Sequence, residues 1–495
     1  MRRFPVAAVH VVAALTLACG TGSSGSSAAP PAVCRVPTPA LGTSSAAKTL
    51  AASPGRCGQK SYAWVSSPSL GEVTGSVLHE TYSSPPLGVV LAAFNVAFTS
   101  PLHSVDVDVV HYTTQDRGQL LTASTEVAYP NDLDAKATPN VVLLLHGTAG
   151  FTDSCAPSAV MQNRILAASI AALGYVVVAP DYLGLENGGK TGFLHPYLVG
   201  QPTAIASLDA VRAGLRVVQA RSDLGLCATT EFVTVGGSQG GHAALWVDRL
   251  APYYAPELTH DGVAATVPPA DLEAEANRAL TQLVPASTNL GALLVASSDW
   301  YGTASRLSEV LVPPIDTQLY DEFHTTCSPG QSVKDATALS QIYQPAILSA
   351  ATSTAGVASD GTWGCIVADN GLPSTSVPRA GAYAPSYGIL FVLGQDDTLV
   401  STPIEEKSFD ALCAKGLPLQ FLECAGAGHI QTTQWALPEI VDFVAARFRH
   451  EPLDPSVQCK RGPPVRCRGE LGLASDGGVP APDAATEASL DAPAD

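Results

Sequence analysis

The chemistry of this chain centres first on one serine in a glycine-rich turn. The motif GGSQGG at residues 236–241 contains G-x-S-x-G, directly after the apolar run 232–235 and directly before a helical pattern over 240–250. A serine on a sharp strand-to-helix turn has an exposed hydroxyl, and the amides of the following helix favour developing negative charge. We therefore predict that Ser238 is a nucleophile rather than a surface serine in a flexible turn.

A serine hydroxyl needs a base, and two later loops supply a base and an acid. In chains with this turn the acid and then the histidine follow the serine. Asp397 follows the apolar strand 389–393 and is predicted to orient the imidazole, with Asp396 as the competing candidate. His429 follows the short strand 420–423 on a Gly/Ala loop and is predicted to be the general base.

A tetrahedral oxyanion needs backbone donors, and the sequence offers two. One is the N–H of Gln239, the residue after the nucleophile. The other comes from the loop LHGTAG at 145–150, where Thr148 is the predicted donor and its hydroxyl can add a second bond. We interpret His146 in the same loop as structural.

Other polar loop residues receive supporting roles. Asp181 and Tyr182 end a strand and are predicted to support the crevice wall. His195 and Tyr197 either line the pocket or pack, and His242, in the first turn after the nucleophile, is interpreted as a packing group. Because no C-x2-C or H-x3-H cluster occurs, we expect no metal site, and the predicted chemistry needs no cofactor.

Strands and helices alternate through the middle of the chain, which predicts a mostly parallel α/β sheet. Runs 105–112 and 119–128, joined by Asp116-Arg117-Gly118, indicate an antiparallel hairpin at the N-terminal side. The predicted strands that follow are 140–145, 175–179, 232–235, 262–267, 389–393 and 420–423, and the predicted helices are 159–173, 203–220, 240–250 and 438–448. Residues 269–385 interrupt the alternation and are predicted to form an inserted helical cap.

The amino-acid composition of the chain excludes some classes of protein. The chain has 495 residues, 46% of them hydrophobic and only 14% charged, which supports a large core and argues against intrinsic disorder. The net charge of −18 makes nucleic acid an unsuitable partner, because binding phosphates requires a cationic face.

The ends of the chain indicate export. Residues 1–19 have a basic start and a short apolar run, as in a signal peptide. Cys19 resembles the lipidated residue of a bacterial lipoprotein, which would tether the protein to the cell envelope; the alternative is ordinary secretion after cleavage nearby. Residues 20–61 are predicted to be a tether, 62–450 the folded domain, and 451–495 a Cys-bearing extension with an acidic disordered tail.

The eleven cysteines, ten without Cys19, suggest up to five disulfides in an exported protein. Local pairs are expected between residues 34 and 57, 413 and 424, and 459 and 467. Cys155, Cys227, Cys327 and Cys365 would then pair among themselves in one of three ways.

Taken together, these motifs resemble the α/β-hydrolase superfamily, and within it the secretory lipase family (lipase-A-like branch). The similarity covers about residues 62–450 and rests on GGSQGGHAAL, HGTAGFTDSCAPS, APDYLGL, HPYLVG, GQDDTLV and GAGH. The resemblance implies hydrolysis of carboxylic esters, with a cap over the acyl pocket and a triad of Ser238, Asp397 and His429. The chain departs from relatives that can carry an acidic residue in the first oxyanion loop, since it has His146-Gly147-Thr148 there.

The leading hypothesis is therefore an esterase or triacylglycerol-lipase-like hydrolase acting through an acyl-enzyme on a small-molecule or lipid ester. Two alternatives are an exported serine peptidase of the same fold and a non-catalytic surface binding protein. The complete Ser/Asp/His set argues against the binding protein.

Overall fold

The computed structural model describes residues 36–41, 45–51, 56–58, 62–98, 101–134 and 136–470. The predicted signal peptide, Cys19, Cys34 and the acidic tail after Glu470 lie outside the described residues, as does much of the tether 20–61.

One mixed sheet organises the described residues. Its strands are β1 (Val73–Tyr82), β2 (Val105–Asp116), β3 (Gln119–Pro130), β4 (Val141–Leu145), β5 (Val176–Pro180), β6 (Glu231–Gly237), β7 (Thr259–Thr266), β8 (Gly388–Gly394) and β9 (Leu419–Cys424). The spatial order is β1-β2-β3-β5-β4-β6-β7-β8-β9. β1, β2, β3 and β5 pair antiparallel in that order, and all pairs from β5 to β9 are parallel.

This architecture confirms the predicted mostly parallel sheet with an antiparallel hairpin. Arg117 and Gly118 both have positive φ, 48° and 85°, as a tight turn between β2 and β3 requires. The six later strands appear where apolar runs predicted them, with ends shifted by a few residues. β1 was not predicted, because its side chains are only partly buried at the sheet edge and show no clean apolar alternation.

Helices cover both faces of the sheet and fill the segment between β7 and β8. They are α1 (Ser45–Ala51), α2 (Ser84–Ala93), α3 (Met161–Ala171), α4 (Gly200–Ala220), α5 (Gln239–Tyr254), α6 (Leu272–Thr281), α7 (Pro285–Tyr301), α8 (Ile315–Thr325), α9 (Pro345–Thr352), α10 (Gly361–Asn370), α11 (Thr402–Ala414), α12 (His429–Trp435) and α13 (Leu437–Phe448). Core residues such as Leu208 and Trp246 pack α4 and α5 on one face. Ala168 and Val444 pack α3 and α13 on the other.

Five helices, α6 to α10, lie between β7 and β8, within the predicted insertion 269–385. They share an apolar core of their own, which includes Leu290, Leu293 and Trp363. That core packs on Phe151 and Tyr197 from loops at the carboxyl edge of the sheet. The inserted helices therefore lie over the edge where the predicted site residues occur.

The predicted local disulfides are wrong. Cys57 pairs with Cys365, Cys413 with Cys459 and Cys424 with Cys467, so Cys365 does not pair within the group of four to which it was assigned. Cys155 pairs with Cys327, one of the alternatives left open, and Cys227 is also disulfide-bonded.

The reason for the error is the path of the C-terminal extension. The amide of Cys459 donates to Leu419 O at 2.8 Å and that of Val465 donates to Glu423 O at 2.8 Å, so the extension runs along β9. This path brings each extension cysteine to a partner in the sheet domain, which spacing along the chain does not reveal.

Within the described part of the chain, no individual helix meets the length and hydropathy needed to cross a bilayer. α6 and α7 meet them only as a pair, across a 120° bend.

Candidate active site

Ser238 lies at the junction between β6 and α5, in a backbone conformation that few residues other than glycine adopt. Its φ is 54° and its ψ is −120°. The glycines on either side are required by packing, since a Cβ at Gly236 would lie 2.1 Å from Gly240 O and one at Gly240 would lie 2.1 Å from Leu145 O. The turn therefore packs against β4 and projects the Ser238 hydroxyl from the edge of the sheet.

The three side chains predicted to act together form one hydrogen-bonded chain. His429 Nε2 lies 2.8 Å from Ser238 Oγ, and His429 Nδ1 lies 2.7 Å from Asp397 Oδ2. Asp397 is itself held, because its Oδ1 accepts from the backbone amides of Leu399 and Val400 at 2.9 and 3.0 Å. The carboxylate thus fixes Nδ1–H of the imidazole and leaves Nε2 to accept from the serine hydroxyl.

The competing acid is placed differently. Asp396 is exposed, whereas Asp397 is buried. The backbone amide of Asp396 donates to Ala427 O at 3.0 Å, which fixes the turn but leaves the Asp396 carboxylate in solvent. Of the two neighbouring carboxylates, Asp397 is therefore the one whose position can orient His429.

The loop after β4 lies beside the nucleophile. A Cβ at Gly147 would be 3.8 Å from the Ser238 Cβ, so the loop backbone closely approaches the serine. Thr148 Oγ1 lies 3.1 Å from the hydroxyl of Tyr197, which also bonds Asn289 on α7. The loop that carries the predicted donor is thus linked through Tyr197 to the inserted helices.

His195 contacts the residue after the nucleophile, a role that the sequence did not reveal. Its Nε2 lies 2.6 Å from Gln239 Nε2, and its Nδ1 lies 2.9 Å from Leu183 O. Burial lowers the pKa of His195 to about 3, so the ring is neutral. Nδ1–H therefore donates to Leu183 O, and Nε2 accepts from the side-chain amide of Gln239.

The remaining predicted residues have structural contacts. His146 stacks on Tyr182 with 4.0 Å between ring centres, and burial lowers its pKa to about 4. Asp181 accepts from Ser124 Oγ at 2.6 Å. It also accepts from Ser158 N at 2.7 Å and from Ser158 Oγ at 2.6 Å, and so joins β3 to the turn before α3.

The ring of His242 links α5 to the end of α10. Its Nε2 lies 2.8 Å from Asn370 O, and burial lowers its pKa to about 4.

Comparison with known proteins decides the family. Residues 154–455 match the secretory lipase family. The chain belongs to the secretory lipase family.

Curated relatives of this secretory lipase family member are fungal. Lipase 2 of Candida albicans is 26% identical over 56% of this chain, and Lipase 4 of the same organism is 25% identical over 59%. The chain spans 55% and 62% of the lengths of these two relatives. A secreted triacylglycerol lipase of Malassezia furfur is 27% identical over 35% of this chain and 40% of its own length.

Solved structures establish the fold of this family member. The rice cell wall degrading esterase LipA from Xanthomonas oryzae superposes with a TM-score of 0.60 at 19% identity, covering 78% of this chain and 99% of LipA. Candida antarctica lipase A in its closed state superposes with a TM-score of 0.54 at 15% identity, covering 82% and 88%. The fold is that of the α/β-hydrolases, as the resemblance implied.

In this secretory lipase family member, α6 holds the loop that carries Asp397. Arg278 donates to the backbone carbonyls of Thr398 and Leu399 at 2.6 and 3.2 Å. Glu275 accepts from Ser401 N at 2.6 Å and pairs with Arg278 at 3.0 Å. Burial raises the pKa of Glu275 to about 6. These contacts connect an inserted helix to the loop that carries Asp397, the acid of the hydrogen-bonded chain.

Ser238 borders two cavities. A pocket of about 50 Å³ lies under the inserted helices and is lined by Leu272, Leu290 and Leu293 among others. A larger cleft of about 430 Å³, which we call the sheet-side cleft, lies over β4, β5 and β6 between α3 and the pair α12–α13. Both Ser238 and His429 line the sheet-side cleft, so it opens directly at the reacting groups.

Proposed function

We propose that this protein is a serine hydrolase that cleaves carboxylic esters through an acyl-enzyme. The observation that carries this proposal is the hydrogen-bonded chain from Ser238 through His429 to Asp397. Two short, consecutive contacts at a strained strand-to-helix turn are the arrangement that turns a hydroxyl into a nucleophile near neutral pH.

Acylation begins when Ser238 Oγ attacks the ester carbonyl carbon and its proton passes to His429 Nε2. Negative charge then develops on the carbonyl oxygen. The backbone N–H of Gln239 and the N–H of Thr148, with the Thr148 hydroxyl, are the proposed donors to that oxygen. Collapse of the tetrahedral intermediate breaks the C–O bond, and the leaving alcohol takes the proton from His429.

Deacylation repeats these steps with water. His429 Nε2 accepts a proton from water, the resulting oxygen nucleophile attacks the acyl carbon, and the same donors stabilise the second oxyanion. Collapse returns the proton from His429 to Ser238 Oγ and releases the carboxylic acid. Asp397 holds the imidazole in one tautomer throughout.

The chemistry of the surroundings supports an apolar ester as substrate. The walls of the sheet-side cleft are mostly aliphatic side chains, and its size is within the range of about 300–1,000 Å³ that holds small ligands. The relatives bear the names of lipases, one of them a secreted triacylglycerol lipase. We propose the same substrate class and export for this chain; its disulfides suit an oxidising compartment.

The direct test is Ser238→Ala with p-nitrophenyl butyrate as substrate. We expect kcat to fall by about 10⁴- to 10⁶-fold while the fold is retained, because the nucleophile is removed and only the oxyanion donors and substrate binding remain. Ser456→Ala, an exposed serine of the extension, is the control and should leave turnover unchanged. Unchanged turnover in Ser238→Ala would exclude the assignment.

A fluorophosphonate probe separates an enzyme from a binding protein that uses the same scaffold. The wild-type protein should be labelled at Ser238, and the Ser238→Ala variant should not. A folded wild-type protein without labelling would favour the binding protein. Faster turnover of peptide anilides than of esters would favour a peptidase.

A further inference from the structure

A short segment between β5 and α4 contacts both of the places that carry the proposed oxyanion donors. It consists of His195, Pro196 and Tyr197, and we call it the HPY bridge. His195 is fully buried, and Tyr197 is 3% exposed and lines the pocket under the inserted helices together with Ser238. Burying a polar ring costs free energy unless hydrogen bonds compensate, so the partners of these two rings show what the bridge holds.

His195 holds the residue that follows the nucleophile. Its neutral ring donates from Nδ1 to Leu183 O at 2.9 Å, and its Nε2 accepts from the side-chain amide of Gln239 at 2.6 Å. Gln239 is the first residue of α5, a position whose backbone N–H has no carbonyl acceptor within the helix. Holding the Gln239 side chain therefore restricts the movement of the first proposed oxyanion donor.

Tyr197 holds the loop that carries the other donor. Its hydroxyl lies 3.1 Å from Thr148 Oγ1, and its ring packs edge-on against Phe151 with 5.4 Å between ring centres. The backbone amide of His195 also donates to Phe151 O at 2.8 Å. Thr148 and Phe151 both belong to the loop after β4, so the bridge holds this loop by a side chain and by its backbone.

The bridge itself is stiff. Pro196 fixes one φ, and the amide of Tyr197 donates to His195 O at 2.8 Å across the proline. The ring of His195 stacks on Tyr182, with 5.7 Å between ring centres and 18° between planes. Gly184 allows the close approach of the backbone here, since a Cβ on it would lie 2.7 Å from His195 Cα. Because His195 and Tyr197 are fixed relative to each other, the bridge also fixes the spacing of the two proposed donors.

The single proton of each hydroxyl determines what Thr148 can donate to. Asn289 on α7 also bonds the hydroxyl of Tyr197. When an amide N–H of Asn289 donates to that oxygen, the O–H of Tyr197 is free to donate to Thr148 Oγ1. Thr148 then keeps its own proton for the oxygen of a substrate.

We propose that the HPY bridge positions the oxyanion hole: His195 fixes Gln239, and Tyr197 donates to Thr148 so that the Thr148 hydroxyl can donate to the oxyanion. His195 and Tyr197 are positioning residues, because each acts through the donor residue that it contacts. This inference rests on the proposed function. Its physical basis is that donors stabilise a developing charge best when they are already in place.

The first experiment removes one oxygen atom from the bridge. Tyr197→Phe should lower kcat for p-nitrophenyl butyrate about tenfold and keep KM within about twofold, because oxyanion stabilisation weakens while substrate binding is retained. Tyr253→Phe is the matched control, since this buried hydroxyl donates to Pro378 O at 2.6 Å from the last turn of α5, and its loss should change neither constant. An unchanged kcat in Tyr197→Phe, with or without a rise in KM, overturns the role of Tyr197.

A double-mutant cycle shows whether Tyr197 acts through Thr148. Thr148→Val keeps the shape and the backbone N–H of the residue but removes its hydroxyl, and it should lower kcat about tenfold. Adding Tyr197→Phe to Thr148→Val should lower kcat by less than about twofold more, since the group that Tyr197 positions is already absent. Losses that multiply to about a hundredfold would indicate a general packing role and overturn the proposal for Tyr197.

The two ring nitrogens of His195 can be replaced separately. His195→Gln places an acceptor near the position of Nε2, whereas His195→Asn retains only a donor near that of Nδ1. We expect kcat within about threefold of wild type for His195→Gln and about tenfold below it for His195→Asn. In a Gln239→Met background the two variants should have the same kcat. Equal losses with Gln239 present would show that His195 supports the fold alone and would overturn its assignment.

An alkyl trifluoromethyl ketone measures binding of the oxyanion directly. Ser238 Oγ adds to its carbonyl carbon, the serine proton passes to His429 Nε2, and the hemiketal oxygen becomes the oxyanion. The inhibition constant Ki should rise about tenfold in Tyr197→Phe and in His195→Asn and stay unchanged in Tyr253→Phe. An unchanged Ki in the first two variants would place their effect at another step and overturn the proposal.

The outcomes separate this inference from the proposed function. Wild-type protein that hydrolyses no ester overturns both. Wild-type turnover that depends on Ser238, together with unchanged kcat in Tyr197→Phe and His195→Asn, overturns this inference alone. Tyr197→Phe and Thr148→Val preserve the packed volume, so their cycle gives a result even if a His195 variant does not fold.

Discussion

At the scale of single residues, two adjacent carboxylates provide a sharp test of the site. Asp397 is buried against His429, and Asp396 is exposed one residue earlier. Asp397→Asn should lower kcat by about 10³- to 10⁴-fold, because an amide at this position no longer holds Nδ1–H and favours the wrong imidazole tautomer. Asp396→Asn should stay within about twofold of wild type in the same p-nitrophenyl butyrate assay. The reverse ranking would contradict the role of Asp397.

The stability of the protein should depend on pH through Glu126, a buried residue on β3 that is 2% exposed. Its pKa is about 8 in the folded protein and near 4.5 in the unfolded chain, so between these values the folded protein retains a proton that the unfolded chain has released. Stability should therefore fall as pH rises from about 4.5 to about 8, by as much as roughly 5 kcal/mol.

Glu126→Gln cannot ionise and should lack this contribution. Urea unfolding of both proteins at about pH 5 and about pH 8 measures the difference. Equal losses of stability in the two proteins over this interval would show that Glu126 is not the group responsible.

At the scale of elements, strand and helix alternation predicted the parallel strands. The order of the motifs along the chain predicted Ser238, Asp397 and His429, which the structure brings into one hydrogen-bonded chain. Each of these depends on a local pattern: an apolar run, a glycine-rich turn, a loop after a strand. The contact of His195 with Gln239 could not be predicted in this way, because the spacing of residues along the chain does not show that a buried imidazole accepts a hydrogen bond. The same holds for Glu275 and Ser401, which are 126 positions apart.

The contact between α6 and the loop that carries Asp397 can be tested by replacing Arg278. Arg278→Ala removes the donors to Thr398 O and Leu399 O and the partner of Glu275, so the loop that holds Asp397 gains freedom. We expect kcat to fall by about tenfold with little change in KM, since a misplaced orienting group affects the transition state more than substrate binding.

Arg306→Ala is the matched control for Arg278→Ala. This arginine also belongs to the inserted segment and also pairs with a glutamate three residues away, Glu309, but the pair is largely exposed. Its loss should change neither kcat nor KM, because exposed pairs contribute little. A rise in KM alone in Arg278→Ala would indicate that α6 acts on substrate binding rather than on Asp397.

At the scale of the whole molecule, the inserted helices are covalently joined to the rest of the fold at two places. Cys57–Cys365 attaches α10 to the N-terminal segment, and Cys155–Cys327 attaches the segment after α8 to the loop that follows β4. Gly150 in that loop lies against the second disulfide, since a Cβ there would be 2.5 Å from the Cys155 Cβ. The loop of Thr148 and the inserted helices are thus coupled by a covalent bond as well as by Tyr197.

Replacing Cys155 and Cys327 together by alanine should therefore change activity as well as stability. Loss of a native disulfide costs about 2–5 kcal/mol, and here it also frees the loop that carries the proposed oxyanion donor, so kcat should fall. The double variant Cys413→Ala/Cys459→Ala removes a bond between α11 and the extension, far from that loop in the chain, and should lower stability while leaving kcat unchanged. Urea unfolding and p-nitrophenyl butyrate kinetics on both proteins decide the matter. Equal effects on kcat would mean that the Cys155–Cys327 bond holds the fold together without positioning the loop beside Ser238.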